Sequence, residues 1–176
     1  RNNQLRCFTK INLKRIKLKF QNYFLMKDVF LIKHSRGAFG LRLFGLGPNF
    51  RPNKGLIKLQ KFLNRNAFWA KDRKLNDLKK CLSNSDVIIS IWVGSQIVGF
   101  GRALSDGIYR GVLWDIVIDQ NHQGKGYGKL IVKTLLNSPK LKHTKKVYLM
   151  TTDKKQFYSQ IDFKDVITQN LLIREI

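Results

Sequence analysis

Apolar residues at Leu56, Leu59, Phe62 and Leu63 recur at three- and four-residue intervals, and Leu75, Leu78 and Leu82 repeat the pattern, which predicts two short amphipathic helices, the second within Lys71 to Ser83. Both helices turn a lysine-rich face outward, ordinarily a solvated surface and only sometimes a docking face. The pattern then changes. Asp86 to Val93 and Ile97 to Leu104 are β-rich runs divided by Gly94-Ser95-Gln96, a hairpin signal. Asp106-Gly107 supplies a second turn and Ile108 to Asp119 a third strand. Helical spacing returns at Leu130, Ile131, Thr134 and Leu135, and beyond Pro139 follow a strand, Lys146 to Thr151, and a short helix, Lys154 to Gln160.

A strand, loop, helix and strand in succession normally set the two strands parallel, so the sheet changes here from antiparallel to mixed. The fold class expected is α/β (α+β), a central mixed but mostly antiparallel sheet flanked by helices. At 176 residues one domain is expected. Its boundary is placed at residue 28, with residues 1–27 read as a basic N-terminal extension that carries no assigned function, and Met26 as a candidate initiation site. Gly37 to Gly55, punctuated by Pro48 and Pro52, reads as an irregular connection.

The chemistry concentrates in one loop. Gln123-Gly124-Lys125-Gly126-Tyr127-Gly128 lies directly between a strand and a helix. Glycines let the backbone turn its N–H groups inward, and the helix that follows adds unpaired N–H groups and the positive end of its dipole, so the main chain can hold a pyrophosphate. Lys125 and Lys129 add charge, and the Gln123 amide can fix the loop. Two other phosphate loops fail on residue type and spacing. Gly128-Lys129-Leu130 lacks the magnesium-binding hydroxyl of a Walker A loop, and glycines at 124, 126 and 128 behind antiparallel strands do not fit a dinucleotide fold.

Gln123, Gly126 and Gly128 resemble the Gln/Arg-x-x-Gly-x-Gly/Ala signature of GNAT N-acetyltransferases. Phe157-Tyr158 and Phe163 resemble that family's Phe-Tyr-x-x-x-Gly-Phe segment, with Asp162 where the glycine usually stands. The finer likeness covers roughly 83–166 and is to the plastid and cyanobacterial branch, including red-algal plastid-encoded acetyltransferases and plant chloroplast serotonin and protein acetyltransferases. Phe100-Gly101-Arg102-Ala103, Ser105-Asp106-Gly107 and Leu113-Trp114-Asp115-Ile116-Val117-Ile118-Asp119 carry it together with the loop.

The resemblance implies a sheet whose strands splay around acetyl-CoA, with Ile116, Val117 and Ile118 along the pantetheine arm and residues 123–129 around the pyrophosphate. Thr152 falls where relatives often carry an asparagine near the pantetheine. Tyr158 falls at the family's usual tyrosine, the acid for the departing thiolate. Asp115 is the candidate base, acting directly or through water; the competing roles are orienting a turn and pairing with Arg102 or Arg110. Attack would be direct, in a ternary complex, with no metal. Trp69, Tyr109 and Trp114 are candidates for an aromatic acceptor wall, and Asp106, Asp115 and Asp119 for an acidic pocket. A plastid location is implied by the branch.

Charge adds a second reading. The net charge is +23, and residues 1–80 hold 21 Lys/Arg against 3 Asp/Glu, a field suited to RNA, a ribosome or another polyanion. The same lysine excess is what an A/T-rich genome produces. The alternative function is therefore an RNA- or ribosome-associated binding protein that retains the fold. Cys7 and Cys81 stand far apart without a His/Cys cluster, so neither a zinc site nor a disulfide framework is indicated, and Cys81 is expected as a buried structural thiol. No apolar run is long enough to span a bilayer.

Overall fold

The structure, a computed structural model, describes residues 29–34 and 54–175. The basic extension and most of the glycine- and proline-punctuated connection lie outside the described residues. Five strands form one sheet in chain order: β1 (Val29–His34), β2 (Val87–Val93), β3 (Gln96–Ser105), β4 (Arg110–Ile118) and β5 (Lys146–Tyr148). β1 to β4 pair antiparallel, and β4 pairs parallel with β5, as a strand reached through a helix must. The mixed, mostly antiparallel sheet expected from the sequence is the one observed.

β1 was not anticipated. Val29 to His34 pairs along its whole length with β2, from Val29 opposite Val93 to His34 opposite Ile88. His34 has a place in this pairing: its Nε2 lies 2.8 Å from Ser90 Oγ, which also accepts from Trp92 Nε1 at 2.9 Å.

The helices cover both faces. On one lie α1 (Gly55–Asn66) and α2 (Leu75–Ser83), whose Leu59, Phe62, Leu63, Leu78 and Leu82 pack with Ile88, Trp92, Phe100 and Val117. The other carries α3 (Tyr127–Leu136) and α4 (Lys155–Ser159), with Ile131, Leu135 and Tyr158 against Ile89, Ile91, Ala103 and Leu113. β2 lies under both layers, which explains why it is apolar on both faces and buried from Val87 to Trp92, with Ser90 as its one polar residue. Gly55, expected in a loop, is the buried first residue of α1. The second helix starts at Leu75 rather than Lys71, because a 3₁₀ turn at Phe68–Ala70 and an extended Lys71 precede it. Cys81 is half-buried rather than enclosed.

Close approach of α3 to the sheet depends on two glycines of β3. A Cβ on Gly101 would stand 2.6 Å from Ile131 Cγ2 and 2.8 Å from Ile116 Cδ1, and one on Gly99 would stand 3.1 Å from both Ile118 and Ile131. α3 therefore sits low on β3 and β4.

Candidate acetyl-transfer site

β4 and β5 begin side by side and then separate. Three pairs join them, Arg110 with Lys146, Gly111 with Val147 and Val112 with Tyr148. Beyond Val112, β4 continues to Ile118 while β5 has ended, three residues earlier than the strand expected through Thr151. Between Leu113 and Ile118, the edge of β4 that faces away from β3 thus has no described strand beside it, and its amides and carbonyls are available to an extended guest.

β4 also changes face midway. Phe100 pairs with Val117 and Arg102 with Trp114, so Gly101 alone stands opposite Asp115 and Ile116. This is a β-bulge, and Asp115 takes the left-handed conformation, φ +52, that bulges of this type require at their first position. Its consequence shows in the cores. Leu113 and Ile116, which a regular strand would put on opposite faces, both pack on the α3 side, while Val117 packs on the α1 side.

The bulge presents Asp115 to the α1–α2 side. Its carboxylate is 8% exposed as a residue and accepts two bonds from Arg73, Nη1 at 2.9 Å and Nη2 at 3.1 Å. Arg102 Nε donates at 2.7 Å and Trp69 Nε1 at 3.4 Å. Burial works against this charge, but the Arg73 and Arg102 guanidiniums outweigh it and hold the carboxyl below the usual range; the Asp115 bonds correspondingly raise Arg73. A carboxylate so engaged is a poor proton acceptor near neutral pH. The geometry therefore favours the ion pair, with Arg102 as one partner and Arg73 as the other, over the expected base. A lone aspartate in an apolar strand demands a cation, and the hairpin register made Arg102 a candidate; nothing in the sequence pointed to Arg73.

The three aspartates do not assemble into an acidic pocket, because they are spread along the strand. Asp106 lies ahead of β4, where its Oδ1 accepts from the amides of Ile108, Tyr109 and Arg110 at 2.8, 2.7 and 3.0 Å. Asp119 follows the other end, about 30 Å on at strand spacing, and accepts from Asn121 N and contacts His122 Nδ1. The aromatic wall divides likewise. Trp69 and Trp114 flank Asp115, with the Arg102 guanidinium 5.7 Å from the Trp114 ring centre, whereas Tyr109 sits at the hairpin end beside Lys145.

At the far end of β4 the loop has the expected backbone. A 3₁₀ turn, Gln120–His122, leads to Gln123, then to Gly124 at φ +74 and Gly126 at φ +79, the residue that caps α3. Only glycine enters that region without cost, and a Cβ at Gly124 would meet nothing within 4 Å, so conformation alone asks for glycine there. Lys125 and Lys129 lie on this loop and the first turn of α3, while Tyr127 is buried. Gly128 has a packing reason: its Cβ would stand 3.0 Å from the Phe157 ring, so α4 closes directly onto the start of α3. The cradle suits an anion held by main chain.

α4 brings Tyr158 under that closure. The residue is 8% exposed, its ring stands edge-on to Phe157 and Phe163 with centroids at 4.9 and 5.9 Å, and burial pushes its hydroxyl up to about 12. The end of α4 explains the Phe-Tyr-x-x-x-Gly-Phe pattern. Phe163 N donates to Tyr158 O at 3.1 Å and Asp162 N to Ser159 O at 3.3 Å, which are the two bonds of a Schellman cap, and Asp162 holds its left-handed position at φ +70. Aspartate enters that region at modest cost, so the departure from glycine leaves the turn intact. Thr152 is exposed beyond the end of β5.

Known proteins agree with this architecture. Residues 85–165 match the acetyltransferase (GNAT) domain family. The uncharacterized N-acetyltransferase ycf52 of Pyropia yezoensis is 34% identical over 100 residues, 54% of this chain and 57% of that protein. Serotonin N-acetyltransferase 2, chloroplastic, of Oryza sativa is 30% identical over 71 residues, 36% of this chain and 34% of its own. The chain thus spans about half the length, or less, of these relatives. A solved GNAT-family acetyltransferase from Streptococcus pneumoniae shares the fold with a TM-score of 0.59 at 19% identity, over 84% of this chain and 99% of that one. Among the described residues no helix is long and apolar enough to cross a membrane, and no cluster of His, Cys, Asp or Glu is suited to a metal. The splayed strands, the glycine cradle and the sequence match together make residues 85–165 of this chain a GNAT acetyltransferase domain.

Proposed function

We propose that the protein transfers the acetyl group of acetyl-CoA to an amine by direct attack in a ternary complex, in a plastid. The observation that carries this reading is the outer edge of β4 from Leu113 to Ile118, which has no described strand beside it and leads through one 3₁₀ turn to the positive-φ glycines at the head of α3. An extended pantetheine would lie along Ile116, Val117 and Ile118, with its pyrophosphate at residues 123–129 and Thr152 offering a hydroxyl from the β5 side. Tyr158 keeps its proton at neutral pH and can donate a hydrogen bond to the departing sulfur. Asp115 serves as a positioning residue, tying Arg73, Trp69 and Arg102 to the bulge, and the amine gives its proton to water. The location rests on the chloroplast relative and the red-algal one.

Calorimetric titration with acetyl-CoA tests the reading, beside a Gly126→Asp variant. Wild type is expected to bind saturably, and the variant to bind at least about 100-fold more weakly, because it places a side chain and a negative charge in the anion cradle. Folded wild type that does not bind acetyl-CoA would overturn the proposal.

A further inference from the structure

The α1–α2 layer differs from an ordinary solvated face in charge and in what stands exposed on it. Residues 54–83 hold nine Lys/Arg and two Asp, a net of +7. Of these cations, Arg73 is the one paired with a described carboxylate, Asp115, and that carboxylate is shared with Arg102, so the pairing itself leaves a positive charge over. Lys61, Lys71, Lys74, Lys79 and Lys80 are exposed on the same layer.

Between the two helices the 3₁₀ turn presents Phe68 and Trp69, 67% and 50% exposed, as an edge-to-face pair with centroids 5.0 Å apart. Packing does not account for this exposure. Two large aromatic faces beside unpaired cations form an anchor of the kind that recurs in recognition surfaces. Trp69 also links this turn to the strand that borders the proposed cofactor path, since its Nε1 donates to Asp115 at the bulge of β4.

We infer that this layer is the docking surface for the acceptor, and that the acceptor is a polypeptide amine flanked by acidic residues, held by Phe68 and Trp69 and by the lysines beside them. This rests on the acetyl-transfer reading. Charge complementarity selects the class: an aminoalkyl group surrounded by further cations would be repelled by Arg73, Arg102, Lys71 and Lys74, whereas carboxylates on either side of the amine offset that repulsion. A nucleic acid would satisfy the charge but offers no ordinary aliphatic amine to the thioester, so the peptide is favoured.

The test uses the full chain, titrated by fluorescence anisotropy with three labelled peptides that carry one central lysine flanked by glutamates, by glutamines or by lysines. A single-stranded RNA oligonucleotide matched in charge to the acidic peptide and a separate acetyl-CoA titration complete the set. The acidic peptide is expected to bind about tenfold or more tighter than the neutral one, with the difference shrinking as salt rises. A Lys71→Glu/Lys74→Glu variant should abolish that preference and leave acetyl-CoA affinity unchanged. Phe68→Ala should weaken all three peptides without changing their order. Equal binding of the three peptides would overturn the inference, as would RNA binding more tightly and displacing the acidic peptide. The acetyl-CoA titration separates the two levels: acidic-peptide preference without acetyl-CoA binding upholds the surface and sinks the transfer reading, and acetyl-CoA binding without peptide preference does the reverse.

Discussion

The two faces of the sheet solve different problems with different materials. On the α3–α4 side the candidate cofactor cradle is made from backbone: glycines at positive φ, the start of a helix, an unpaired strand edge, and glycines at 99, 101 and 128 that let helices approach closely. On the α1–α2 side the site is made from side chains that are distant in sequence, Trp69, Arg73, Arg102 and Asp115, joined at one bulge. Backbone sites are rigid and tolerant of surface charge, whereas a cluster of four polar side chains ties stability to each member. The first side should therefore lose chemistry when Tyr158, the proposed donor to the departing sulfur, is altered, and the second should lose stability.

Tyr158→Phe sharpens that contrast most. Removing the hydroxyl keeps the ring against Phe157 and Phe163, so the melting temperature should hardly move. If the phenol donates to the departing sulfur, kcat should fall about 100-fold or more with little change in acetyl-CoA affinity, a loss of about 3 kcal/mol from the transition state. Steady-state rates by thiol release beside calorimetric binding check this. An unchanged kcat would leave Tyr158 as packing only.

Asp115→Asn tests the other face. Asparagine tolerates the same left-handed backbone, so the variant removes charge with little strain. Two guanidiniums lose their carboxylate, and because the Arg73 side chain is 28% exposed the cost should be about 2–3 kcal/mol rather than the larger penalty of a fully enclosed pair. The sign of the pH dependence follows from the depressed folded value. The contribution is fully present above the unfolded aspartate value of about 3.9 and is lost as pH falls below it through the folded value. Wild type and variant should thus differ most in urea midpoint at neutral pH and converge in acid. A difference that grew in acid would contradict the ion pair.

The same contrast governs what could be read from sequence. Turns at Gly94-Ser95 and Asp106-Gly107, the strands beside them, the loop at 123–128 and the helix of Tyr158 all announce themselves through local chemistry, and all are present. β1 was illegible because Val29 to His34 is a short apolar run amid basic sequence, with no turn residues tying it to its distant partner β2. The early end of β5 is a tertiary event, set by where β4 leaves it, while Lys146 to Thr151 has strand composition throughout. The bulge has no local sequence signature that fixes its place. A single left-handed Asp115 reverses the alternation of β4, and only the structure shows that Gly101 faces two residues at once.

Gly101→Ala probes the place where the two faces meet. Its methyl would press on Ile131 from α3 and on Ile116, the second residue of the bulge, at 2.6 and 2.8 Å, distances that require movement. Overpacking of this kind should cost about 1–3 kcal/mol, read as a fall in urea midpoint at unchanged m-value. If Ile116 yields rather than α3, acetyl-CoA affinity will fall as well, because the displaced residue borders the unpaired edge of β4.

Asp162 gives the smallest effect and asks whether the α4 closure is a matter of backbone alone. The residue occupies the left-handed position of the Schellman cap that sets Phe163 against Tyr158, and its side chain is exposed. Asp162→Gly removes the left-handed strain but frees the unfolded chain, and these terms nearly cancel, leaving a gain of about 0.5 kcal/mol. Asp162→Val keeps no such balance, since a β-branched residue resists positive φ, and should lose about 1–2 kcal/mol. Thermal unfolding of the pair checks the order glycine, aspartate, valine. Should valine match aspartate, the cap would be held by the Phe163–Tyr158 contact and not by the conformation of residue 162; should kcat follow the same order as stability, the cap would be setting the position of the Tyr158 hydroxyl as well as the fold of the last turn.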